Sequence, residues 1–394
     1  MFVDYSSLIC YIGIEFFYKT EFMRPTYAEI DLGAIHHNLK QIRKQVGKHP
    51  HIMAVVKANA YGHGMLPVAK YILKEKLASY LGVAIVEEGV TLRRNGIKAP
   101  VLVLTAPPEP QLGLFVEHNL GATLCSISTA RKLDRIAAGV GKKAVVHVKV
   151  DTGMGRIGIA PKDTMAFIGE VNTLNNIEVV GIFTHFATAD DKNLSFARKQ
   201  LSDFTSLLHG LDSAGIHIPI KHSANSGAIL QLKESYFDMV RPGIMLYGYY
   251  PSRVTRKPVP LKPAMSIRSR IEFMKTVEKG TSVSYGRRYY TSSTTNIASV
   301  SIGYADGISR RLTNKASVLV NGKKYPVVGT ICMDQLMINV GGRPVCKVGD
   351  RVTLMGRDGD LEIPCWEISE TLGTIPYEIF CSVSERVPRN YNHG

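Results

Sequence analysis

The chain has 394 residues, 45% hydrophobic and 21% charged, enough to bury substantial cores and too varied in composition for a disordered protein. Its formal charge of +15 is scattered, with no denser clusters than the pairs Arg287–Arg288 and Arg310–Arg311, so nucleic acid is not expected as a partner. The cysteines, Cys10, Cys125, Cys332, Cys346, Cys365 and Cys381, form no C-x-x-C and no zinc-ligand spacing; that excludes a metal centre as an expectation and points to a reducing, cytoplasmic compartment.

Residues 1–22, MFVDYSSLICYIGIEFFYKTEF, are apolar and aromatic, are interrupted by Glu15 and lack a basic start. A secretory signal needs that basic start, and a membrane span needs a longer run. No membrane association is expected. Met23 opens MRPTYAEIDLGAI as a fresh start, and 1–23 is read as an N-terminal extension or an upstream start, with a poor membrane or export signal as the minor alternative.

Between His51 and Gly248 short β-branched apolar runs alternate with amphipathic stretches such as MLPVAKYILKEKLA. The runs begin at His51, Tyr80, Val101, Gly121, Ala144, Glu178, Ile220 and Met239. Eight parallel strands with crossover helices in about 200 residues point to a (β/α)8 TIM barrel, an α/β fold. The barrel is expected over 24–262, with its first strand, about 26–35, open to assignment to the second domain. After Pro263 the texture changes to alternating strands broken by glycines, and Asn321-Gly322 is a hairpin signal. This predicts a separate C-terminal all-β domain over 263–394.

Barrel enzymes build their sites at the C-terminal ends of the strands. Here those ends carry Lys57 and Tyr61, Lys149 with Asp151 and Arg156, His185, Ser226, and Arg241 with Gly243. A lone strand-end lysine is more often solvated than catalytic, but five strands aiming ionisable groups at one mouth form a candidate site. An amine such as Lys57, partly desolvated and near Arg156 and Arg241, is expected to have a lowered pKa and to act as a nucleophile. One motif competes: Gly153-Met-Gly155-Arg-Ile-Gly158 fits the dinucleotide fingerprint of a dehydrogenase. The following strand ends in Thr-His-Phe rather than in the acid a ribose needs. His63, His36 and His37 lack convergent acidic or thiol partners and are read as hydrogen-bonding or surface residues.

The segments AVVKANAYGHG, HVKVDTGMGRIGI, THFATAD, HSANSGA, VRPGIMLYG, VSYGRRY, GYADG, GTICMDQ and PYEIFCSVSERVPR run in the order found in alanine racemases, and the chain resembles that family from about Arg24 to Tyr391. The resemblance implies pyridoxal 5′-phosphate (PLP) as a Schiff base on Lys57, and Tyr61, Ser226, Gly243, Ile244 and Tyr377 around its phosphate. It places Arg241 at the pyridine nitrogen, where a guanidinium cannot readily give up a proton; that arrangement disfavours transamination. Related decarboxylases carry an acid at that point and a glycine-rich phosphate loop, and neither is found here. Lys57 and Tyr285 are implied as the two catalytic bases, serving D- and L-alanine respectively. A phenol is ordinarily too weakly acidic to be a base at neutral pH, and His185 with Arg241 is expected to favour the phenolate. Arg156, Met333 and Tyr304 are implied around the substrate, and Lys149 is a candidate for carbamylation by CO₂; its plain alternative is an ordinary ion pair with Asp151 or another neighbouring acid. The family further implies a homodimer whose sites are shared between subunits, and D-alanine made for peptidoglycan.

Three rivals stand beside this reading. A racemase of broader specificity would act on serine or basic amino acids. A PLP-binding protein without turnover would resemble the barrel alone, against which the Tyr285 segment argues. A nucleic-acid-binding role would need clustered rather than scattered charge.

Overall fold

A computed structural model describes residues 24–393; the expectation of an extension over 1–23 lies outside the described residues. The chain folds into two compact units whose segments alternate along the sequence. One comprises 24–29, Ser266–Gly373 and Ser384–Asn390; the other comprises Ile30–Met265, Thr374–Val383 and 391–393.

The larger unit is the barrel. Its strands are β2 (His51–Val55), β3 (Tyr80–Val83), β4 (Val101–Val103), β5 (Gly121–Leu124), β6 (Ala144–Lys149), β7 (Ile177–Phe183), β8 (Ile220–His222) and β9 (Met239–Val240). Each apolar run named from the sequence is one of these strands. All neighbouring pairs are parallel, in the order β8-β7-β6-β5-β4-β3-β2-β9. The two end strands meet through Asp238 N–H donating to Lys221 O at 3.0 Å and Arg241 N–H donating to Ala224 O at 2.9 Å, which closes the sheet on itself. Met53, Leu102, Phe183 and Met239 pack together as one core cluster of buried residues. Outside, the helix Ser195–Ser213 buries Phe204, Leu207, Leu208 and Leu211 against Val148 and Ile182, the apolar stripe of an amphipathic helix closing on the sheet.

The glycine fingerprint at Gly153–Gly158 does not open a helix; the next one begins at Pro161. Its strand, β6, lies inside the closed barrel. A dinucleotide site needs the helix N-terminus at the phosphate, so the dehydrogenase alternative loses its basis.

The smaller unit contributes most of a nine-stranded sheet in the order β13-β12-β15-β10-β1-β17, with β11 on β10, β14 on β11 and β16 on β15. Its strands are β1 (Tyr27–Asp31), β10 (Met265–Val277), β11 (Thr295–Val300), β12 (Ser317–Val320), β13 (Lys323–Pro326), β14 (Leu336–Gly341), β15 (Arg351–Asp358), β16 (Leu361–Ile363) and β17 (Arg389–Asn392). β1 ends at Asp31, whose carboxylate accepts Ala34 N–H at 2.8 Å and starts the helix Leu32–Val46. The Asn321-Gly322 turn joins β12 to β13, both residues at positive φ (50° and 70°) as a two-residue hairpin requires.

The helix Pro376–Ser382, late in the chain, packs with the barrel unit. Phe380 lies against the His63 ring, with centroids 5.3 Å apart.

Candidate functional site

Lys57 stands at the exit of β2, on a turn of unusual hand. Ala58, Asn59 and Ala60 have φ of 51–54° and ψ of 46–52°, and Tyr61 has φ 51°. This is a left-handed helical turn built without glycine, which costs about 1–2 kcal/mol per residue. It persists because its surroundings hold it. Gly62 N–H donates to Ala58 O at 3.0 Å and Gly64 N–H to Asn59 O at 2.9 Å. The Asn59 side-chain oxygen accepts Met65 N–H at 2.8 Å. Gly62 itself, at φ +78°, passes so close to the Phe380 carbonyl that an added Cβ would lie 2.2 Å from its oxygen. The turn leaves Lys57 half-buried and Tyr61 buried at a cavity of about 660 Å³.

One wall of the cavity is hydroxyl-rich. Ser226 Oγ accepts Gly243 N–H at 2.9 Å. A Cβ on Gly243 would sit 2.6 Å from Tyr61 Oη, so glycine here is a condition of the close approach. Ile244 and Tyr377 line the same wall, and the Tyr61 and Tyr377 rings are 5.8 Å apart. Burial raises both phenols well above their ordinary value, so both remain O–H groups able to donate.

The other wall is cationic. Arg241, 4% exposed, donates to His222 Nδ1 at 2.9 Å, Thr184 O at 2.8 Å, Ser223 O at 3.0 Å and His185 Nδ1 at 3.3 Å. Burial draws its guanidinium down to about 9, still cationic at neutral pH. Because a guanidinium only donates, His222 Nδ1 and His185 Nδ1 must accept, and each ring carries its proton on Nε2. His222 Nε2–H then donates to His147 Nδ1 at 3.0 Å. Burial, and after it the Arg241 charge, holds all three imidazoles below their ordinary value, His147 at about 3. They are neutral.

Lys149 is 2% exposed, its Nζ has no hydrogen-bond partner, and it lies 4.6 Å from the centre of the Phe183 ring. Burial, then Arg241 and Arg156, pushes this amine well below the lysine range. The ion pair with Asp151 does not form as the plain alternative supposed. The Asp151 carboxylate instead accepts Gly153 N–H at 2.9 Å and Gly155 N–H at 3.0 Å, shaping the loop that carries Arg156. Lys57 is lowered first by burial and then by the Arg156 charge. Arg241, expected to share in that effect, spends its donors on His222, His185 and backbone carbonyls.

The cavity thus gathers Lys57, Tyr61, Lys149, Arg156, His185, Ser226, Arg241, Gly243, Ile244 and Tyr377. The remaining expected residues belong to the β unit and are gathered there. Thr330 Oγ1 donates to Tyr285 O at 2.6 Å, Tyr304 N–H donates to Cys332 O at 3.0 Å, and Ala305 N–H donates to Met333 O at 3.0 Å. One loop cluster therefore carries Tyr285, Tyr304 and Met333, with exposures of 72%, 41% and 52%.

Models of two families match the chain: "Alanine racemase, N-terminal domain" over residues 30–251 and "Alanine racemase, C-terminal domain" over 264–391. The chain belongs to the alanine racemase family. Alanine racemases from Halothermothrix orenii and Desulforamulus reducens are similar to it, the first 46% identical over 94% of this chain and 97% of its own, the second 48% identical over 93% and 99%. Among solved structures, the alanine racemase of Clostridium difficile 630 superposes with a TM-score of 0.90 at 42% identity, covering 94% of this chain and 97% of that one. The Bacillus anthracis alanine racemase with bound L-Ala-P gives 0.88 at 40% identity, with coverage of 94% and 96%. The enzyme is therefore an isomerase that interconverts the enantiomers of alanine, and a broader-specificity racemase is not favoured. The broad architecture expected from the eight apolar runs and the change of texture after Pro263, a barrel with a separate mostly-strand domain, is the one found.

His147 and His222 were not singled out from the sequence. The signal for His147 is Gly181, inside the apolar run of β7: a Cβ there would meet His147 Nδ1 at 2.1 Å. A glycine within a strand marks a close neighbour. His63, His36 and His37 are hydrogen-bonded, His63 Nδ1 to Tyr61 O, His36 Nδ1 to Tyr71 Oη and His37 Nε2 to Pro260 O. Among the described residues no group of three or more His, Cys, Asp or Glu is placed to hold a metal, and no helix is long and apolar enough to cross a membrane.

Proposed function

We propose that the enzyme holds PLP in the barrel cavity and racemises alanine with two bases, Lys57 and Tyr285, acting on opposite faces of the substrate. The observation that carries this reading is the pairing of a half-buried Lys57 amine, lowered by burial and then by Arg156, with a hydroxyl cradle across one cavity. The cradle fits a phosphate: Gly243 leaves open the space that a Cβ would close against Tyr61, and the hydroxyls of Tyr61, Ser226 and Tyr377 stand beside the Gly243–Ile244 backbone. When bound, the cofactor supplies an electron-withdrawing ring that acidifies the α-proton of the attached amino acid.

The chain's own residues do the rest. Lys57 anchors the cofactor through its amine and, once displaced by substrate, moves the α-proton of D-alanine. Tyr285 moves that of L-alanine, since two bases serve a planar carbon more simply than one that must swing around it. His185, with its proton on Nε2, offers a donor that favours the Tyr285 phenolate. Arg241 keeps the ring nitrogen free of a proton, because it has hydrogens to donate and no lone pair to accept one. Arg156 and the Met333 N–H hold the substrate carboxylate, with Tyr304 beside it. Lys149, an amine buried among cations, gains an opposite charge by carbamylation and so positions Arg156.

Tyr285, Tyr304 and Met333 stand exposed on one loop cluster, and a homodimer would cover them over the partner's cavity. The free cysteines among the described residues support a reducing, cytoplasmic setting, and in this reading the D-alanine feeds peptidoglycan. The direct test is borohydride reduction of the purified yellow protein followed by peptide mapping. The pyridoxyl group is expected on Lys57, and its recovery on another lysine would overturn the assignment.

A further inference from the structure

The left-handed turn after Lys57 needs something to hold its first amide. Ala58 N–H donates to the side chain of Glu88, meeting Oε1 at 2.6 Å. The other carboxylate oxygen, Oε2, accepts Ala84 N–H at 2.8 Å and Ile85 N–H at 3.4 Å. Glu88 lies in the first turn of the helix Val86–Arg94, which follows β3. One carboxylate therefore joins the exit of β2, where Lys57 stands, to the exit of β3. Ala58 and Ala84 both line the cavity with Lys57.

Several contacts hold the far end of the turn: Asn59 on Met65 N–H, Gly62 N–H on Ala58 O, and the Phe380 carbonyl against Gly62. At its near end, next to the reacting amine, the Ala58 N–H is held by the Glu88 carboxylate. Non-glycine residues leave the left-handed region readily unless their surroundings over-determine it.

We propose that Glu88 is a positioning residue for Lys57: its two carboxylate oxygens clamp the left-handed turn to β3 and so hold the Lys57 amine at the cavity. The inference rests on the reading of Lys57 as the cofactor lysine. Both oxygens are needed, because each accepts from a different strand exit. Glutamine offers one oxygen and one NH₂, so whichever way it turns, an N–H donor faces another donor.

The test compares holoenzymes of the wild type, Glu88→Gln and Glu87→Gln. Glu87 is the adjacent acid in the same first turn, and its carboxylate accepts from Gln111; its variant removes the same charge from the same helix end without touching the Lys57 turn. Three readings are taken on each: the rate at which hydroxylamine strips the cofactor, kcat and KM for alanine, and the site fixed by borohydride. A hydrogen bond to a charged acceptor is worth roughly a tenfold change or more in an equilibrium. Glu88→Gln is expected to lose cofactor at least about tenfold faster and to lower kcat about tenfold with KM within about threefold of the wild type, while Glu87→Gln matches the wild type. Should Glu88→Gln fail to accumulate, Glu88→Asp, whose shorter arm cannot span both exits, takes its place with the same expectations. Equal behaviour of the two variants, whether both intact or both impaired, would overturn the clamp. A pyridoxyl group fixed away from Lys57 in the wild type would overturn the reading of Lys57 itself, and the clamp with it.

Discussion

Arg241 is held by four acceptors and buried among them, so its role depends on chemistry more than on mobility. In the proposed arrangement, with the guanidinium at the ring nitrogen, Arg241 would limit how far the cofactor withdraws electrons and so favour returning a proton to the α-carbon over transferring one elsewhere. Behind it, His222 accepts from Arg241 and in turn donates to His147, so the hydrogen bonds run in one direction away from the guanidinium. Arg241→Glu is expected to slow racemisation and to raise side transamination, read as pyruvate formed from alanine. Unchanged pyruvate would show that this residue does not control the fate of the proton. Lys149 illustrates the same local logic: a buried amine facing two guanidinium groups is disfavoured as a cation, and an added carboxylate on its nitrogen would reverse that balance.

The turn from Ala58 to Tyr61 is the element on which the site most depends, and it was not legible in the sequence. K-A-N-A-Y contains no glycine to announce a left-handed run, and two of the contacts that enforce it come from Glu88 and Phe380, remote in the chain. The barrel strands were legible because most are short, largely buried apolar runs set between amphipathic stretches, and Lys57 and Arg241 were legible as polar residues at their ends. The Pro376–Ser382 helix was expected with the C-terminal domain, since its place beside the barrel rests on packing that only the folded chain reveals. Gly62 makes that packing testable. With φ +78° and a backbone oxygen 2.2 Å from an added Cβ, Gly62→Ala is expected to cost about 2–4 kcal/mol and to weaken cofactor retention, because the Phe380 carbonyl or the turn must move. Urea midpoints with absorbance of the bound cofactor check this; a variant as stable as the wild type would mean that the turn yields without cost.

For the molecule as a whole, the buried imidazoles make acid the condition to examine first. His147 and His222 have folded values below the ordinary 6.5. The unfolded chain therefore binds their protons first, and stability is full above about 6.5 and falls as pH drops from there toward the folded values. Each contributes a loss of up to about 1.4 kcal/mol per pH unit in that window. Urea midpoints are expected to decline between pH 7 and pH 5, and His147→Asn is expected to flatten the decline; equal slopes would contradict the neutral, buried state of His147. The two units also divide the proposed catalytic labour, Lys57 on the barrel and Tyr285 on the β unit. That division is tested most directly by following α-proton exchange in heavy water separately for each enantiomer of alanine in Tyr285→Phe. The two-base account predicts that this variant still binds cofactor and alanine, that exchange of L-alanine slows severely, and that exchange of D-alanine, which uses Lys57, survives better. Equal slowing of both enantiomers would contradict it.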